Sequence, residues 1–86
     1  MGTYIIHDTY TNLYKIGSTS NIKRRLSTLG TANINLQLLL YVNINIEKLL
    51  HKIYKDCKIR KEWYKLKSDE IENIKEFIFE YMINNS

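Results

Sequence analysis

Six side chains, Ile46, Leu49, Leu50, Ile53, Tyr54 and Cys57, recur at i, i+3, i+4, i+7, i+8 and i+11, the spacing of one helical face. A helix with a single apolar stripe needs a surface to bury it against. The remaining sequence supplies a sheet. Leu36–Val42 is an apolar run of strand length. Thr3–His7 and Leu13–Gly17 are β-rich, and Asp8–Asn12 between them has turn chemistry. The pattern predicts helices packed on a small sheet, with Leu36–Val42 as its central strand.

Other signals place the remaining elements. Ser20 is a suitable N-cap for a first helix with Ile22, Leu26 and Leu29 on one face, and Gly30 is a suitable stop. Residues 31–35 read as a loop. Asn45 would cap the second helix, Lys58–Lys61 reads as a basic connector, and Glu62–Leu66 as a short strand. Ser68 would cap a third helix, with Asp69 and Glu70 in its positive first turn. Its apolar face is Ile71, Ile74, Phe77, Ile78, Tyr81 and Met82. The expected order is β-β-α-β-α-(β)-α: an α+β domain whose small, mainly antiparallel, three-stranded sheet is flanked by helices. A chain of 86 residues is expected to form a single domain, 1–86, without separate cofactor and substrate domains.

Charge is unevenly placed. The net charge is +4, yet residues 1–67 carry twelve Lys and Arg against four Asp and Glu, while the remainder carries one against five. The basic part suits a polyanion such as nucleic acid, and the acidic helix at 69–84 does not. A solvated lysine-rich surface would show the same excess. Lys outnumbers Arg ten to three, so each arginine stands against a compositional bias. One cysteine, Cys57, allows no internal disulfide. With no apolar leader and no run near the ~20 apolar residues of a membrane span, the expected location is intracellular, cytoplasmic or nuclear, not secreted.

Three groups of residues carry possible chemistry. Tyr4 and Lys15 lie on the two hairpin strands, close enough in register to share a face. Ser18–Arg25 puts a glycine turn, hydroxyls and a helix start beside Lys23, Arg24 and Arg25, a combination suited to phosphate. Glu47 and His51, at i and i+4, share the polar face of the second helix. Each has an ordinary structural reading too: a half-buried tyrosine, a solvated basic run, a surface pair.

Together these residues resemble the GIY-YIG nuclease superfamily. The resemblance rests on Gly2-Thr3-Tyr4, Tyr14-Lys15-Ile16-Gly17-Ser18-Thr19, Asn21-Ile22-Lys23-Arg24-Arg25-Leu26 and Glu47. That pattern has a tyrosine on the first strand, Tyr-Ile-Gly or Tyr-Val-Gly ending the second, an arginine eight residues beyond that glycine, and a glutamate on the next helix. Counting from Gly17 selects Arg25 over Arg24. Lys-Ile-Gly, Glu47-x-x-x-His51 and Glu62-Trp63-Tyr64 are similar to a compact branch of phages and large DNA viruses. The resemblance covers residues 2–67. It implies a metal-dependent DNA endonuclease with four principal roles. Tyr4 would position or deprotonate the attacking water. Arg25 would bind the phosphate. Glu47 would be the single carboxylate ligand of Mg²⁺ or Mn²⁺. Lys15, standing where the second tyrosine usually sits, would contact the phosphate, hold the water or lower the pKa of Tyr4. His51 would reach a metal-bound water or the phosphate, and Ser18, Lys23, Arg24 and Arg25 would bind the nucleic acid.

Some positions depart from the pattern. Leu29 replaces a histidine of homing-type members, and the closing asparagine of other members has no clear equivalent. Trp63 and Cys57 read as core, and His7 as an ordinary surface residue after the first strand. The sequence has no evident length for a target-selecting domain, and double-strand cleavage would call for a homodimer or two visits. The alternative reading is a catalytically weak or inactive nucleic-acid-binding or regulatory module on the same fold; a third is a protein-interaction domain.

Overall fold

The computed structural model describes residues 1–30 and 35–84. The expected loop at 31–35 lies almost wholly outside them. The elements run β1 (Gly2–Asp8), β2 (Leu13–Thr19), α1 (Ile22–Gly30), β3 (Leu36–Val42), α2 (Glu47–Ile53), a 3₁₀ turn (Lys55–Cys57), β4 (Lys58–Arg60), β5 (Trp63–Tyr64) and α3 (Ser68–Asn84). This is the expected α+β class with an antiparallel sheet. The sheet, however, has five strands rather than three, in the order β3-β1-β2-β5-β4. The supposed basic connector supplies the additional edge strand. All three residues of β4 are exposed, so no alternation marks it in the sequence, and only pairing with β5 makes it a strand.

β3 is likewise not central but an edge. The most buried strand is β1, an interior one, with Gly2 to Ile6 all buried. Leu36–Val42 is apolar because helices pack near it, and apolarity alone does not fix lateral position in a sheet. β2 and β3 are both antiparallel to β1, which lies between them. The helix joining them, α1, therefore crosses the face of β1.

Register divides the sheet into two faces. Ile5, Ile16, Tyr64, Leu40 and Val42 share one face, where Ile46 and Leu50 of α2 and Ile71, Ile74 and Ile78 of α3 complete the main core. Tyr4, Gly17, Lys15, Tyr41 and Trp63 share the other. Trp63 is thus half-buried on that second face, not in the core; its neighbour Tyr64 takes the core position.

Side chains set the helix ends, and the expected caps move. Asn21, not Ser20, caps α1: its Oδ1 accepts the Arg24 N–H at 3.1 Å. Gly30 is the last residue of α1 rather than the position after it. Asn45 does not cap α2. The buried Thr3 fastens that entry from β1 instead, donating its hydroxyl to the Ile44 carbonyl at 2.8 Å and accepting the Ile46 N–H at 2.9 Å. Ser68 lies within α3, where Glu70 accepts the Lys67 N–H at 2.9 Å, one half of a capping box.

The apolar stripes are also narrower than expected. α2 stops at Ile53, so Leu49 and Ile53 are exposed. Cys57 packs against the core from the 3₁₀ turn. Met82 lies outside the buried face of α3 and lines an open apolar groove with Leu40, Val42 and Phe79.

Candidate functional site

The site is organised around Tyr4. Its residue is 1% exposed and stands opposite Gly17 in the β1–β2 ladder. A Cβ built on Gly17 would lie 2.5 Å from Tyr4 Cζ and Oη, closer than packed atoms approach. The phenol thus rests on the bare backbone of β2, and the strand continues through the glycine rather than ending there. Burial pushes the Tyr4 phenol above its ordinary 10.0; Arg25 pulls it down, and Glu62 and then Glu47 push it up. Side chains from α1, from the turn before β5 and from α2 therefore act electrostatically on one hydroxyl.

Lys15 lies on the face of Tyr4, two positions along β2 from Gly17. Its ammonium is 3.2 Å from Glu62 Oε2 and 5.6 Å from the centroid of the Trp63 ring. The Ile16 N–H donates to the Glu62 carbonyl at 3.1 Å, so the same residue holds Lys15 by its side chain and β2 by its backbone.

Glu47 opens α2. Its charge reaches both Tyr4 and Tyr64, phenols on opposite faces of the sheet. His51 follows one turn later with Nε2 3.8 Å from Glu47 Oε1. The same nitrogen is 2.8 Å from the Ile16 carbonyl, to which it donates, so it carries the proton. β5 is two residues long and ends before it can pair that carbonyl. His51 takes the place of the missing strand, and its ring lies 5.3 Å from that of Tyr64. His51 therefore anchors α2 to β2, and its Nε2 is not free to ligate a metal.

Among the described residues no three His, Cys, Asp or Glu side chains gather as a metal cage. Glu47, with a side chain 20% exposed, offers one accessible carboxylate. Such a donor suits a hard divalent cation that keeps most of its waters, as Mg²⁺ does.

The basic run divides. Arg24 and Arg25 line a polar cleft of about 330 Å³ with Thr19, Ser20, Asn21 and Thr28. Lys23 is exposed on α1 outside that lining. Ser18 stands opposite Thr3, on the side of α2, and does not line the cleft. Sequence reasoning missed Thr3 as the tether of α2 and Glu62 as the partner of Lys15. It also missed Tyr64, whose buried hydroxyl has no hydrogen-bond partner among the described residues. Glu62 could have been found from charge complementarity to Lys15; Thr3 had no signal, because its partners are backbone atoms far along the chain. His7 and Cys57 have local explanations. His7 stacks on Tyr14 at 4.3 Å and shares a hydrogen bond with Asn12. The Cys57 thiol donates to Glu70, and its pKa is raised by burial and by that carboxylate.

The T5orf172 domain model matches residues 1–79. The chain belongs to the T5orf172 domain family. No curated protein and no solved structure matches it. A T5orf172 domain is a phage-associated domain of an endonuclease-related group, which makes this chain a nuclease-like or DNA-binding module. Among the described residues of this T5orf172 domain, no helix is long and apolar enough to cross a membrane.

Proposed function

We propose that this T5orf172 domain is a metal-dependent DNA endonuclease of the GIY-YIG type. The observation that carries the reading is the buried phenol of Tyr4 packed across Gly17, on the sheet face that also bears Lys15, with the charges of Arg25, Glu62 and Glu47 all acting on it. Tyr64 on the opposite face also feels Glu62 and Glu47; what sets Tyr4 apart is the added cation, Arg25, as a group that handles water beside a phosphate requires.

Each residue then has a task its position permits. Tyr4 is a neutral phenol at physiological pH, so its Oη orients the attacking water, and loss of its proton depends on cations nearby. Arg25 offers a planar guanidinium to the non-bridging oxygens as negative charge develops on them. Lys15, held between Glu62 and Trp63 on the Tyr4 face, contacts the phosphate by exchanging its carboxylate partner for it, and His51 keeps Glu47 in place. Mg²⁺ or Mn²⁺ on Glu47 would supply Lewis-acid stabilisation of the leaving 3′-oxygen. Water adds across the P–O bond, giving a 5′-phosphate and a 3′-hydroxyl.

Supercoiled plasmid incubated with Mg²⁺ or Mn²⁺ tests this. Wild-type protein should relax it by nicking; linear product formed without a nicked intermediate would indicate two copies acting together, and linear product formed after it two separate visits. Glu47→Ala and Arg25→Ala should each lower the rate by about 10²-fold or more. Cleavage that Glu47→Ala leaves intact would overturn the mechanism. The Lys15–Glu62 ion pair, which neutralises the cation at the second-tyrosine position, favours one other reading: a DNA-binding module without cleavage. Salt-sensitive duplex binding that needs Lys23, Arg24 and Arg25, with no cleavage under any divalent metal, would establish it.

A further inference from the structure

The three residues of β4 are all exposed, so hydrophobic burial does not account for this strand. Lys58 and Arg60 project from it, and Lys61 follows in the turn to β5. Among the described residues none of the three has an ion-pair partner, as holds for most lysines and arginines here apart from Lys15 and Lys75, so their charges are open to an anion. Arg60 is the third of only three arginines in a chain that favours lysine, and the other two line the α1 cleft.

Register places Arg60 with care. Lys15 pairs with Trp63 across β2–β5, and Trp63 pairs with Arg60 across β5–β4. The three form one lateral row, cation–indole–cation, on the Tyr4 face of the sheet and leading away from β1 toward the β4 edge. Lys61 adopts φ 49°, a left-handed conformation that glycine or asparagine takes at lower cost. The two-residue turn between the paired Arg60 and Trp63 calls for a positive φ, and a lysine there puts a positive charge at the hairpin tip. The next residue, Glu62, binds Lys15, so the tip is fastened to the site.

We propose that the β4–β5 hairpin is a second nucleic-acid contact, in which Arg60 and Lys61 grip backbone phosphates on the side of the site away from α1. Strands lie about 4.8 Å apart, so β4 stands about 14 Å from β1. At 3.4 Å per step along one DNA strand, that is about four nucleotides. The α1 cations and the hairpin cations then bracket the Tyr4 position along one stretch of duplex. The inference rests on the nuclease reading for the position of the cut, and on charge and register alone for the binding. Charged edge strands also discourage edge-to-edge pairing, a role that predicts no effect on DNA.

The test is fluorescence anisotropy of a short labelled DNA duplex, with Glu47→Ala as the background so that no cleavage intrudes. Titrations run between ~50 and ~200 mM salt. Adding Arg60→Ala and Lys61→Gly should weaken binding about tenfold at the lower salt and reduce the slope of log K against log[salt] by about 1.8, two phosphate contacts' worth. Lys61→Gly also relieves the backbone, so that single variant should raise the unfolding temperature while weakening binding; this separates lost contact from lost fold. Unchanged affinity and slope in the double variant, while Arg24→Ala with Arg25→Ala lowers both, would overturn the proposal. Absence of duplex binding by the unsubstituted background would overturn it too. A reduced slope in a protein whose wild-type form never nicks plasmid would support the hairpin contact and remove only the cleavage reading.

Discussion

At the residue scale the site depends on atoms that are absent as much as on those present. Gly17 leaves room for the Tyr4 ring, and a methyl group there would meet Cζ and Oη at 2.5 Å. Neither the ring nor the β2 backbone can retreat in a packed sheet. Gly17→Ala should therefore lower stability by about 1–3 kcal/mol, measured by urea denaturation, and reduce cleavage by displacing the phenol. Tyr64 presents the opposite case. Its hydroxyl is buried without a partner among the described residues, and a buried polar group left unpaired carries a desolvation cost. Tyr64→Phe deletes that atom alone and should raise the denaturation midpoint. A lower midpoint would mean that the hydroxyl is satisfied, by a buried water for example.

At the element scale, α2 is held at both ends by groups outside itself. Thr3 fixes its entry through two hydrogen bonds, and His51 ties its last turn to the Ile16 carbonyl. A seven-residue helix is marginal on its own, so these anchors hold Glu47 where Tyr4 can sense it. Thr3→Val keeps the shape and removes both bonds. It should cost about 1–3 kcal/mol and lower plasmid nicking beyond what the stability loss explains, since the start of α2 is freed. The residues show why some elements were legible and others not. Alternation and turn chemistry revealed the β1–β2 hairpin, and heptad-like spacing revealed the helices. The shared face of Tyr4 and Lys15 was legible from the hairpin register, and the place of Glu47 from the periodic helix that it opens, whereas Arg25 was singled out only by its spacing from Gly17 in the resemblance. β4 was hidden because a strand exposed throughout has no apolar pattern, and the edge position of β3 because pairing order is set by long-range contacts. The caps moved because a threonine on β1 and a glutamate inside α3 satisfied backbone groups that nearby polar residues were expected to serve.

For the molecule as a whole, pH and salt act on different parts. Tyr4, Tyr54 and Tyr64 have pKa values raised above 10.0 in the folded chain, each chiefly by burial. Unfolding returns them to the ordinary value. Their support for the fold is fully present below pH ~10 and is lost as the pH climbs from there through the raised values. In an alkaline titration these phenolates should appear together with the loss of circular dichroism, and their earlier appearance would contradict the burial described. Salt bears instead on the basic sheet edge and α1, and leaves the core largely untouched. Between the two lies Trp63, the single tryptophan of the chain, under the ammonium of Lys15 and next in the row to Arg60. Its emission comes from one known place, so the protein carries its own optical gauge: light from that indole should respond when an anion draws Lys15 or Arg60 away, before any bond is cut.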